Sequence, residues 1–138
     1  MLFLKIIFTL NLCLLTLDHL YTGSLALFFP AKAVRVYSEL FGAKIPETRE
    51  YFAILKPWGA LGIFAGLVSF LPIFYPEKYI LVIVALIILL LMRLFYRLKF
   101  QGDVEQSIGL TKMRNLRHIG LIIVCMSVMA MQVFYYSY

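Results

Sequence analysis

Ile80-Leu81-Val82-Ile83-Val84-Ala85-Leu86-Ile87-Ile88-Leu89-Leu90-Leu91-Met92 contains no charge, no proline and no glycine, and this run decides the fold. With Tyr79 before it and the residues up to Phe100 after it, it makes a span over 79–100. A helix rises 1.5 Å per residue, so about 20 residues bridge the ~30 Å hydrocarbon layer of a bilayer. Only a helix or a closed barrel satisfies the backbone N–H and C=O groups at that depth. A barrel strand alternates apolar and polar residues, and this run does not. Three further stretches meet the same test, at about 2–29, 57–75 and 117–136. The sequence therefore predicts an all-α protein, a bundle of four transmembrane helices, with residues 1–138 as a single integral membrane domain.

Composition points the same way. Hydrophobic residues make up 63% of the chain and charged residues 14%, against about 45–50% and about 25% in soluble domains. A soluble chain of 138 residues has too little interior to hide that much apolar surface. The net charge of +6 sits between the apolar runs, where anionic headgroups meet it. With no continuous basic stripe interleaved with aromatics, nucleic acid is not an expected partner. Cys13 and Cys125 lie inside apolar segments and have no metal-ligand spacing, so they read as small hydrophobes. No metal site is expected from them, and the sequence leaves any cofactor unknown.

Between the spans the punctuation is clear. Pro30 closes the first apolar run. A secretory signal is the rival reading of that run, with Gly23-Ser24-Leu25-Ala26 as the cleavage region. Leu10-Asn11-Leu12-Cys13 lacks the small residues of a lipobox, and an uncleaved helix is expected. Pro57 suits the first turn of the second span, where its missing N–H costs nothing. Pro72 loosens that span's last turn, and Pro76-Glu77-Lys78 makes a tight turn. Between the first two spans, 31–41 predicts a short amphipathic helix ended by Gly42. Val34, Tyr37, Leu40 and Phe41 form its apolar face, and Lys32, Arg35 and Glu39 its polar face. It is expected to lie in the headgroup region.

Orientation follows from lysine and arginine. Lys32, Arg35, Lys44, Arg49 and Lys56 fall on one side, as do Arg93, Arg97, Lys99, Lys112, Arg114 and Arg117. These are eleven of the thirteen; only Lys5 and Lys78 fall on the other. Both termini are expected away from the cytoplasm, in a plasma or inner membrane, with the long loops cytoplasmic.

The spans differ in their side chains. The third is bulky and aliphatic on every side, and is expected to face lipid or a partner subunit. In the second, Gly59, Gly62, Gly66 and Ser69 make a small-residue face for close helix packing. In the first, Asn11, Leu15, Asp18 and Thr22 share one face, and Thr16, His19, Gly23 and Ala26 the next. Both faces are expected to turn inward, against the glycines. Asp18, at mid-span, costs about 2.5–3.5 kcal/mol on insertion scales unless it protonates, pairs or borders water. Thr22 and Tyr21 are possible hydroxyl donors to it, and Arg93 is the one cation that could pair with it if spans one and three are adjacent; the favoured alternative is that Arg93 snorkels to the cytoplasmic headgroups beside Arg97. His19 adds a group that titrates near neutral pH. The candidate intramembrane polar site is thus Asp18, His19, Asn11, Thr22 and Tyr21. The competing reading is a structural polar contact between helices or subunits. His118 is expected nearer the cytoplasmic end than His19, which disfavours a haem between them. There is no nucleophile–His–carboxylate set and no phosphate loop, so no catalytic residue is assigned.

From Tyr21 to Phe70 the chain resembles the broad DoxX-like group of small four-helix membrane proteins. The likeness lies in a first span ending near Phe29-Pro30, the amphipathic segment Ala33-Val34-Arg35-Val36-Tyr37-Ser38-Glu39-Leu40-Phe41-Gly42, and the Gly-rich Gly59-Ala60-Leu61-Gly62-Ile63-Phe64-Ala65-Gly66. The resemblance implies a four-helix bundle that assists a larger membrane system, with a tie to quinone-linked oxidation in some members. It assigns no catalytic residue. The expected function is a non-catalytic accessory or assembly subunit of a membrane complex. The alternative is a small carrier or proton-linked redox protein working through Asp18 and His19.

Overall fold

The computed structural model describes residues 2–41, 44–109 and 112–137. Six helices follow one another: α1 Leu2–Phe28, α2 Pro30–Phe41, α3 Arg49–Phe74, α4 Ile80–Lys99, α5 Gln101–Ile108 and α6 Lys112–Ser137, with no strand among the described residues. Four of them, α1, α3, α4 and α6, are long and apolar enough to cross a membrane. The protein is an all-α, multi-pass helix bundle. Residues 2 and 137 and the turn at 75–79 lie at one end, here the terminal end; α2, α5 and most of the cations lie at the other, the basic end.

The chain passes from α1 into α2 without a loop. The Phe29 N–H donates to Leu25 O at 2.8 Å and the Ala33 N–H to Phe29 O at 2.9 Å. Pro30 takes the first position of α2, where no N–H is needed. Ala33 and Val34 of α2 are fully buried against Leu25 and Ala26 of α1 and Leu55 of α3, with Tyr37 beside them. So α2 packs onto the bundle as well as bordering it. Leu40, expected on that apolar face, is exposed, because the face in contact is centred on Ala33 and Val34. The expected stop at Gly42 lies outside the described residues.

Two boundaries differ from the sequence expectation. Helix α3 begins at Arg49, capped by the Thr48 hydroxyl, which accepts from the Tyr51 N–H at 3.3 Å. Pro57 is therefore inside the helix, not in its first turn. A cap placed upstream satisfies the end, and membrane helices tolerate an interior proline where neighbours re-satisfy the freed carbonyl. Thr48→Ala should lower the stability of the purified protein by about 1 kcal/mol, read as a fall in the thermal midpoint in detergent. An unchanged midpoint would show that the cap contributes nothing. Helix α6 likewise begins at Lys112, five residues before the apolar run, and α5 was not foreseen because it is polar. Gly109, after α5, takes φ +65°, the left-handed conformation glycine adopts most readily at a helix end.

The core is built from two helix pairs. α1 and α3 form the most intimate pair in the molecule. A Cβ built on Gly59 would stand 2.5 Å from Leu27 N and 2.7 Å from Gly23 O; one on Gly23 would stand 2.7 Å from Ile63 N. The two backbones touch. Gly62 faces the Gly23 Cα and Gly66 the Leu20 side chain. Below them the Thr16 and Ser69 hydroxyls meet at 2.9 Å, both buried. In the second pair, Ile83, Leu86 and Leu90 of α4 pack on Ile122 and Met129 of α6. Leu12 and Leu15 of α1 enter the same cluster and join the pairs. The remainder of α4, including Leu81, Met92 and Phe95, faces outward.

Candidate intramembrane polar site

Two contacts set the register of α1 against α6. The rings of Phe8 and Tyr135 meet edge-on at 5.7 Å, and Asn11 Nδ2 donates to Cys125 O at 3.4 Å. Residue numbers rise on one helix as they fall on the other, so the helices are antiparallel. Moving seven residues toward the basic end leads from Asn11 to Asp18 and from Cys125 to His118. Ten residues on from the Phe8–Tyr135 contact leads instead to Asp18 and Cys125, so the two contacts set Asp18 beside the stretch 118–125 of α6, about 10 Å long at 1.5 Å per residue.

The α4/α6 seam is fixed in the same way. Arg97 Nη1 donates to Asn115 Oδ1 at 3.0 Å, and Asn115 Nδ2 donates to Arg97 O at 3.4 Å. One turn deeper, Arg93 on α4 reaches the level of His118 and Ile119 on α6. From α2, the Tyr37 hydroxyl donates to Thr22 O at 3.2 Å. Burial pushes the Tyr37 phenol pKa up, and the nearby Asp18 carboxylate adds to it; Arg93 and the bond to Thr22 act the other way. Tyr37, by way of Thr22, and Arg93 and His118 thus lie toward the basic end from Asp18, on three other helices.

The residues expected at the site separate here. Thr16, His19 and Gly23 turn toward α3, but Asp18 does not, and its side chain is 57% exposed. The expectation that both polar faces point inward is corrected: the contact with α3 uses the Gly23 face, and Asp18, about 100° round the helix per residue, is left at the α6 side. His19 Nδ1 donates to Leu15 O at 2.8 Å and stands 3.9 Å from Asp18 Oδ2, too far for a hydrogen bond. Thr22 Oγ1 donates to the Asp18 backbone carbonyl at 2.6 Å, not to the carboxylate. Tyr21 is exposed on the outer surface. Among the described residues no salt bridge joins Asp18 to Arg93, although both charges act on the Tyr37 phenol.

Four residues of this site were not singled out by sequence: Tyr37, Arg97, Asn115 and, in this role, His118. A signal existed in Arg93 and Arg97 at i,i+4 and in Asn115 and His118 at i,i+3, the spacings that share a helix face. Nothing in the sequence showed that those two faces meet. Gln132, near the terminal end, is 1% exposed and its Oε1 has no hydrogen-bond partner. Cys13 and Cys125 are free and half-buried. Among the described residues no group of three or more His, Cys, Asp or Glu is placed to hold a metal ion. The arrangement can bind a charged or hydrogen-bonding group, and it contains acid–base groups but no activated nucleophile. No family model, curated protein or solved structure matches the chain.

Proposed function

We propose that this chain is a non-catalytic accessory or assembly subunit of a larger membrane complex, and that it is related to the DoxX-like proteins. In this reading it lies in a plasma or inner membrane with both termini away from the cytoplasm and its basic end facing it. The observation that carries the reading is Asp18, a carboxylate 57% exposed in the middle of a helix of membrane-spanning length. Lipid tails do not solvate such a group, and intramembrane charges turn toward protein or water. A partner helix that offers a polar or cationic side chain covers it. The outward apolar face of α4, with Leu81, Met92 and Phe95 exposed, gives further surface for a neighbour.

Extraction from native membranes in mild detergent tests this. The chain should co-purify with a larger assembly in fixed stoichiometry. Asp18→Asn should recover about ten-fold less partner, since an interhelical polar contact contributes about 1–2 kcal/mol. A small oligomer of this chain alone, unaltered by the substitution, would refute the proposal.

A second reading has its own observation. Asp18, with Tyr37 bonded one turn away at Thr22 O and Arg93 and His118 further toward the basic end, suits a small carrier, or a proton-linked or quinone-linked redox protein, that uses Asp18 and His19. Under that reading the chain alone binds or moves a ligand, and Asp18→Asn removes that activity without any change in partners.

A further inference from the structure

The geometry points to a phosphate-binding site on the α4/α6 seam, formed by Arg93 and Arg97 with His118 beside them. The ligand is a net-negative phosphate group, carried by an anionic phospholipid or free in solution. The two arginines stand one turn apart on the same face of α4, and Arg97 is held in place by Asn115, which is 2% exposed. That bond uses one of the five N–H donors of the guanidinium and leaves the planar fork available for phosphate oxygens. Among the described residues no carboxylate forms a salt bridge with either arginine. The local balance is cationic.

The surroundings add to that excess. Lys112, Arg114 and Arg117 are exposed on the first turns of α6, whose first turn holds no acid. Cations there oppose the helix dipole, and a bound anion relieves both strains. Leu98 and Leu116, next in sequence to Arg97 and Asn115, are exposed, and acyl chains attached to the phosphate would lie against them. The inference does not depend on a partner complex, because its test uses the purified chain alone.

Native mass spectrometry of the full chain in detergent, titrated with dioleoyl-phosphatidylglycerol, dioleoyl-phosphatidylcholine or inorganic phosphate, reads the site. Retention of phosphatidylglycerol over phosphatidylcholine, unaffected by inorganic phosphate, assigns a lipid headgroup; displacement by inorganic phosphate assigns the soluble ion. Arg97→Lys keeps the charge but loses the fork, and should weaken binding about ten-fold. Arg93→Gln, which leaves the Asn115 contact intact, should weaken it about five-fold. Removing both guanidiniums should cost far more than Lys112→Gln with Arg114→Gln, which removes as much charge from the neighbouring first turn of α6. Equal losses in the two double variants, wild-type binding by Arg97→Lys, or no binding of any probe would overturn the site.

Discussion

Gly59→Leu is expected to separate α1 from α3 and to abolish the folded bundle. The first atom of any side chain at this position would lie 2.5 Å from Leu27 N and 2.7 Å from Gly23 O. Both are backbone atoms, so no rotamer change makes room. Overpacking a core that can adjust its side chains costs about 1–3 kcal/mol. Here relief requires two helices to move apart, which also breaks the buried Thr16–Ser69 contact. The loss should exceed about 3 kcal/mol, enough to unfold a marginally stable protein. Gly120→Leu is the matched control, since nothing stands within 4 Å of a Cβ there; it should leave stability unchanged. Size-exclusion profiles and thermal midpoints in mild detergent separate the two. A monodisperse Gly59→Leu protein with a wild-type midpoint would mean that α1 and α3 do not touch in this way.

The four spans were legible in the sequence because hydrocarbon thickness sets a length that no local detail overrides. The helix ends were not. Thr48 caps α3 and α6 starts at Lys112, in polar stretches where an apolar window carries no signal. Helix α5 escaped for the same reason. The faces proved harder still. Asp18 and His19 are neighbours in sequence, yet one borders α6 and the other turns toward α3, and only the choice of the Gly23 face for the contact decides between them. The Arg93–Arg97 spacing was readable, whereas its pairing with Asn115 required knowing that α4 lies beside α6.

Asn115→Leu is expected to be the next most damaging change. Asn115 is 2% exposed, accepts from Arg97 Nη1 at 3.0 Å and donates back to Arg97 O at 3.4 Å. Leucine fills the volume but leaves a half-buried guanidinium without that acceptor. Hydrogen bonds to charged groups contribute about 1.5–3 kcal/mol, and the loss should fall in that range. Replacing both partners, as Arg97→Met with Asn115→Leu, should recover part of it, because an apolar pair leaves no buried donor unmet. Thermal unfolding of the single and double variants measures this. If the double variant is as unstable as the sum of its parts, the two residues are not coupled.

The polar site depends most on the register that sets Asp18 beside residues 118–125 of α6. Asp18→Cys and the native Cys125, in a background of Cys13→Ala, can be joined in native membranes by a short bifunctional maleimide. The predicted result is an efficient cross-link within one chain, against little for Asp18→Cys with Phe134→Cys in a Cys125→Ser background, about two and a half turns further toward the terminal end. Equal yields from the two pairs, or no cross-link between 18 and 125, would contradict the register and the polar site built on it.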